Sequence, residues 1–117
     1  MSNIKIRVQV RVPTVNQYNE LRKLIGWKVI DNCRASLALN NSLISVCALV
    51  DNEVIGIGRV VGDGALYFCI QDVIVAPKYQ NQGVNHMIVE KIMTNIKHLV
   101  KEGTGAFVGT VTEQNKR

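Results

Sequence analysis

The stretch from Leu66 to Val100, LYFCIQDVIVAPKYQNQGVNHMIVEKIMTNIKHLV, constrains this chain more than any other. It opens as an apolar run, breaks at Ala76-Pro77, passes through a polar loop closed by Gly83, and resumes with apolar residues at helical spacing. Proline cannot donate to a sheet ladder, so a strand should end there. Val84, Ile88, Ile92, Ile96 and Val100 fall on one stripe, flanked by Met87 and Leu99, which is the pattern of a helix packed on a sheet. Lys97, His98 and Lys101 complement its negative pole, and Gly103 and Gly105 are expected to terminate it. A helix opened in this way presents first-turn amides without intrahelical partners, and its dipole adds partial positive charge. The amides from Gln80, Asn81, Gln82, Gly83, Val84 and Asn85 could surround a pyrophosphate, with Gly83 letting the backbone come close.

The remaining chain reads as a frame for that unit. Ile4, Ile6, Val8, Val10 and Val12 alternate with Lys5, Arg7, Gln9 and Arg11, a period-two strand with one face buried and one basic face outward. Pro13 ends it. Thr14 and Gln17 have capping-box spacing, Val15, Tyr18, Leu21 and Ile25 mark an apolar helix side, and Gly26 is a natural stop. Trp27 follows just outside that helix. Asp31 or Asn32 caps a shorter helix carrying Ala35, Leu37, Ala38 and Leu39. Leu43–Val50 and Val54–Val61 are strands joined by a tight hairpin at Asp51-Asn52-Glu53. Gly62-Asp63-Gly64 turns the chain into a third strand, Ala65–Val75, and Ala106–Val111 is the last. The expected fold is mixed α+β, with order β-α-α-β-β-β-α-β over a single domain of residues 1–117. Its antiparallel meander is followed by a helical crossover, which favours a parallel pairing of the last two strands.

Composition narrows the functional classes. At 47% hydrophobic and 20% charged residues the 117-residue chain should bury one core. Neither a secretory leader nor a membrane-length apolar run is visible, so a cytoplasmic location and no membrane partner are expected. Cys33, Cys47 and Cys69 form no Cys-x-x-Cys pair, and neither a disulfide framework nor a metal site is expected. The net charge of +5 could suit nucleic acid, but aromatic residues are only 5% and no recognition motif accompanies it. Solvated lysines that steer an anionic cofactor are the favoured reading, with no nucleic-acid partner. Gly56-Ile57-Gly58-Arg59-Val60-Val61-Gly62 superficially resembles a dinucleotide fingerprint, but it lies between two strands and its third glycine is one place late. Those glycines are expected to mark a bulge or a close approach.

The specific signal is Asp72-Val73-Ile74-Val75-Ala76-Pro77-x-Tyr79-Gln80-x-x-Gly83-x-Asn85. It resembles the acetyl-CoA motif of the GNAT N-acetyltransferase superfamily, and the element order is similar to that family's N-terminal part. The resemblance implies that acetyl-CoA is the acetyl donor. It implies that the backbones of Val73, Ile74 and Val75 hold the pantetheine arm at a bulge splaying the last two strands, and that amides from Gln80 to His86 hold the pyrophosphate. Asn85 departs from the family's usual Gly or Ala and is expected to crowd the phosphates. The family's further C-terminal helix, which often bears a tyrosine general acid, and its final strands are missing after Val111, so the chain is expected to be truncated relative to the family.

The resemblance also frames the chemistry, in which a primary amine of a small molecule or peptide attacks the thioester. An ammonium has no lone pair, so a base is required. Asp72 is the carboxylate of the motif strand and the candidate base; alternatively it anchors a loop or pairs with a basic residue. Trp27 borders the acceptor pocket or packs in the core. Arg59 binds an acidic acceptor or lies on an exposed face. Tyr67 and Phe68 point to opposite faces of their strand, one toward the pocket and one toward the core. The rival expectation is a catalytically weak or inactive fragment that binds CoA, or forms a homodimer through the bare edge of the last strand.

Overall fold

The computed structural model describes residues 5–100 and 105–110. The chain runs β1 (Arg7–Val10), α1 (Val15–Leu24), α2 (Asn32–Asn40), β2 (Ile44–Val50), β3 (Glu53–Gly62), β4 (Tyr67–Val75), a 3-10 turn (Pro77–Tyr79), α3 (Val84–Leu99) and β5 (Phe107–Thr110). The five strands form one sheet in the order β1-β2-β3-β4-β5. β1 through β4 pair antiparallel in succession, and β4 pairs β5 in parallel across the α3 crossover. This is the mixed α+β order expected from the sequence.

Local chemistry accounts for most boundaries. Thr14 Oγ1 accepts the Gln17 amide at 3.0 Å while Gln17 Oε1 accepts the Thr14 amide at 2.9 Å, so the capping box is complete. Gly26, at φ +82°, stops α1. Asp31 caps α2 by accepting the Arg34 amide at 2.9 Å. Asp51 and Asn52 both take positive φ, the requirement of a two-residue type I′ hairpin, so β3 starts at Glu53. β4 begins at Tyr67, two residues later than expected. The amides of Ala65, Leu66 and Tyr67 are taken up by Asp63 Oδ1 at 2.8–3.0 Å, and these backbone bonds hold its carboxyl below the usual range.

α3 covers one face of the sheet, and Val84, Ile88, Ile92 and Ile96 are all buried there as the spacing requires. Burial of each such aliphatic side chain stabilises the fold by about 1.5–3 kcal/mol. The helix ends at Leu99 because Val100 turns extended, at φ −96° and ψ 127°. The expected stop at Gly103 lies outside the described residues, as do Ile4 and Val111 of the expected terminal strands. On the opposite face α1 supplies Tyr18 and Leu21 to the core. β1 is a correction to the alternating pattern. Val10 and Val12 are about half exposed, because they border an open groove of about 460 Å³ that Asn95 and Leu99 of α3 line without filling.

Gly56 and Gly58 sit where the helix comes closest. A methyl group built on Gly58 would lie 2.6 Å from Ile88 Cγ2 and 3.0 Å from Ile92 Cδ1. The expected close approach is therefore present, and so is the bulge, on the neighbouring strand. Ile57 opposes Ile74 and Arg59 opposes Gln71, leaving Gly58 alone against both Asp72 and Val73.

Candidate active site

The extra residue makes Asp72 adopt φ +53°, a left-handed conformation that aspartate tolerates better than most residues. Val73 then faces α3, within 3.6 Å of a methyl built on Gly58, while the Asp72 carboxylate turns to the α1 face. Among the described residues β5 pairs β4 only from Tyr67 to Ile70, so Gln71–Val75 have no described β5 neighbour.

Past the bulge, Val73 and Val75 join Tyr79, Gln80, Asn81, Val84 and Asn85 in lining a pocket of about 310 Å³. Gln80 Nε2 donates to the Val75 carbonyl at 3.1 Å, which folds the loop back onto the strand end. Asn81 at φ +68° and Gly83 at φ +77° bend the loop so that α3 starts at its rim. Among the described residues no side chain caps α3, and the first amide to close on the helix backbone is that of Met87, on the Gly83 carbonyl at 3.0 Å. The earlier amides therefore face the pocket side with the positive pole of the dipole, a fitting environment for a phosphate or pyrophosphate. Ile74 has its side chain in the core, so only its backbone is available to a ligand. Gln82 and His86 do not line the pocket; the His86 Nε2 lies 3.3 Å from Glu90 Oε2 on an exposed helix face.

Beside the bulge, on the α1 face, lies a buried polar cluster. Tyr18 donates its hydroxyl to Asp72 Oδ2 at 2.8 Å, Arg59 Nε donates to the same oxygen at 2.8 Å, and Arg22 Nη1 reaches Asp72 Oδ1 at 3.5 Å. The Asp72 side chain is only 2% exposed. Burial, followed by the Asp72 charge, pushes the Tyr18 hydroxyl above its ordinary 10.0. Arg59 is neither solitary nor on an exposed face, since its Nη1 also donates to Ser42 Oγ at 3.2 Å. Arg22 Nε holds the Lys28 carbonyl at 2.6 Å, and its guanidinium lies 5.5 Å from the Tyr18 ring and 5.4 Å from the Trp27 ring. Trp27 packs against the core while its Nε1 is buried with no hydrogen-bond partner among the described residues.

Tyr67 is placed elsewhere. It is more than half exposed and stacks on Phe107 at 5.2 Å, whereas Phe68 is the member of that pair in the core. Tyr67 lies five positions before Asp72, roughly 16 Å along β4. Sequence reasoning overlooked Tyr79 in the pocket wall and the pair Tyr18 and Arg22 in the cluster. A signal for the latter existed: Arg22 falls four residues after Tyr18 beside an apolar stripe, and an arginine so placed calls for a buried acceptor. Among the described residues there is no group of three or more metal-ligating side chains, and no helix is long and apolar enough to cross a membrane.

A strand bulged beside an uncapped helix N-terminus, with a pocket between them, suits a ligand that carries an anionic group. The model of the Acetyltransferase (GNAT) family matches residues 14–117, and the chain belongs to that family. A solved protein of unknown function from meticillin-resistant Staphylococcus aureus, named a probable acetyltransferase, is 32% identical, with a TM-score of 0.84 over 95% of this chain and 82% of that one. The N-acetyltransferase YhbS of Escherichia coli, solved in complex with CoA, shares the fold at 16% identity. Its TM-score is 0.72, over 98% of this chain and 67% of that one. An uncharacterized N-acetyltransferase ycf52-like protein from Prochlorococcus marinus is 28% identical over 93 residues, 76% of this chain and 52% of that protein. The chain spans about half the length of this curated relative.

Proposed function

We propose that the protein transfers the acetyl group of acetyl-CoA to a primary amine of a small molecule or peptide. The observation that carries the reading is the pocket of about 310 Å³ joining the bulged strand to the uncapped start of α3, in a chain of the GNAT family. Its residues suit the coenzyme: free amides and a helix dipole for the pyrophosphate, and a strand edge with Val73 and Val75 for the pantetheine arm. Acetyl-CoA supplies an acyl carbon activated as a thioester. The chain's own groups do the rest. Amides from Gln80 to Asn85 and His86 hold the phosphates; backbone N–H groups from Val73 to Val75 orient the arm and polarise the carbonyl.

For the amine to attack, a proton must leave its nitrogen; the C–N bond then forms as the C–S bond breaks and the thiolate takes up a proton. Asp72, the carboxylate beside the bulge, is the motif's candidate to accept the first proton. Its ion pairs with Arg22 and Arg59 at 2% exposure favour the anchoring alternative, so that proton passes to solvent. Trp27 is proposed to border the acceptor; Arg59 is engaged with Asp72 and Ser42 behind the bulge, and Tyr67 stacks on Phe107 away from it. A calorimetric titration with acetyl-CoA tests the binding claim, and absence of heat and of thermal stabilisation would sink it. A coenzyme-release assay over a panel of amines then tests turnover.

A second reading has its own support, the exposed Tyr67–Phe107 stack beside edge strand β5. In it the chain binds CoA with little turnover and pairs with a second copy along β5. Tight coenzyme binding without release of free CoA on any amine would favour it.

A further inference from the structure

The buried cluster lies directly behind the bulge, and both are drawn together at one carboxylate. We propose that Tyr18, Arg22 and Arg59 are positioning residues that hold the β4 bulge through Asp72 and so aim the Val73 and Ile74 amides into the coenzyme site. The inference rests on the acetyltransferase reading above.

The bulge is a conformation that needs a reason. Asp72 sits at φ +53°, a region that residues with side chains seldom occupy, and it breaks the ladder between Ile57 and Arg59. Without it, β4 would pair in regular register, and a slip of one residue turns every following side chain to the other face. Val73 and Val75 would then leave the pocket they line. What opposes that slip is the carboxylate, fixed at 2.8 Å by the Tyr18 hydroxyl and at 2.8 Å by Arg59 Nε, with Arg22 Nη1 at 3.5 Å. Each donor comes from a different place: Tyr18 and Arg22 from successive turns of α1, and Arg59 from the neighbouring strand. Moving Asp72 to the regular register would take the carboxylate from a buried guanidinium, Arg22, and a partly buried one, Arg59, at once.

Arg22 extends the same control to the acceptor side. Its Nε holds the Lys28 carbonyl at 2.6 Å, and its plane is flanked by Tyr18 and Trp27. The α1–α2 segment and the bulge are therefore tied to one guanidinium. Acceptor and acyl donor would be brought into register by a single cluster that touches neither reacting atom.

The test uses ¹⁵N-labelled protein titrated with acetyl-CoA, followed by amide shifts and calorimetry. The wild type should respond at Gly83–His86 and at Val73–Val75. Tyr18→Phe and Arg59→Met should keep the first response, hold coenzyme affinity within about threefold, and lose the second. On an amine that the wild type acetylates, kcat should fall about 10- to 100-fold, as misplacement by roughly 1 Å can cause, with the shape of the pH profile unchanged. Tyr18→Phe removes a single oxygen, so it reports even if Arg59→Met fails to fold. Variants that respond at Val73–Val75 as the wild type does overturn the inference. So does an Asp72→Asn protein that keeps those shifts but loses the ascending limb of the pH profile, which makes Asp72 the base. A wild type without any coenzyme-induced shift removes the acetyltransferase reading itself, and this inference with it.

Discussion

Asp72 is 3% exposed, and a carboxylate so buried is tolerable only because a phenol and two guanidiniums surround it. Removing one partner of such a group typically costs about 3–5 kcal/mol, since a charge is left uncompensated. Tyr18 gives the milder probe, because its loss leaves both arginines in place; Tyr18→Phe should cost about 1.5–3 kcal/mol near neutrality. Its hydroxyl is raised above 10.0 in the folded state, by burial first and the Asp72 charge second. A raised value means that the contribution is fully present below pH 10.0 and is lost as pH climbs through the folded value. The stability gap between wild type and Tyr18→Phe, followed by urea denaturation, should therefore stay level to about pH 10 and narrow above it. A gap that widens with alkalinity would show that the phenol is not the buried donor. Cys47 behaves in the same direction for a simpler reason. Burial pushes its thiol up to about 11, its Sγ donates to the Arg11 carbonyl at 3.3 Å, and it serves as a core residue rather than a nucleophile.

At the level of elements, the close contact between α3 and β3 and the bulge in β4 are one arrangement. Gly58 stands alone opposite Asp72 and Val73, and its missing side chain is what lets Ile88 and Ile92 approach. Gly58→Ala puts a methyl against the branched Cγ2 of Ile88, which cannot swing away without moving the helix. Overpacking of this kind costs typically 1–3 kcal/mol. Displacing α3 also displaces its N-terminus, so acetyl-CoA affinity should weaken along with the melting temperature. Wild-type affinity in a destabilised Gly58→Ala protein would separate the two elements. The polar loop is equally bound to its helix: Asn81 and Gly83 both hold positive φ, and Asn85 sits in the pocket wall. If Asn85 crowds the phosphates, as its place in the motif suggests, Asn85→Ala should tighten acetyl-CoA by a few fold, read by calorimetry.

Across the molecule, the sheet has two edges of different character. β1 carries Arg7, with Arg11 just past its end beside an open groove, while β5 presents Phe107 and Val108, 64% and 40% exposed, next to Tyr67. An apolar strand edge of that kind pairs readily with another chain. If a second copy covers it, sedimentation equilibrium should give a dimer that Phe107→Lys converts to monomer. A wild-type monomer at high concentration would remove the pairing. The core, in contrast, is shared by both faces of the sheet, and α1 and α3 both pack on β3 and β4.

Much of this was legible in the chain. Val84, Ile88, Ile92 and Ile96 announce the core helix, Thr14 and Gln17 its smaller counterpart, and the Pro77, Gln80 and Gly83 spacing the polar loop before α3. These are local features: periodicity, capping and turn chemistry depend on residues within one or two turns of each other. Long-range pairing was not legible. Arg59 looked like a solitary charge and Arg22 drew no notice, because their partner Asp72 lies 13 and 50 residues away. The sheltering of Val10 was misjudged for the same reason, since alternation tells which face a strand turns inward but not whether a helix extends over it. Sequence alone determined the elements, their order and the loop that favours an anion. Tertiary structure alone decided the bulge, because its left-handed residue is held by side chains from α1 and β3 that only folding brings together.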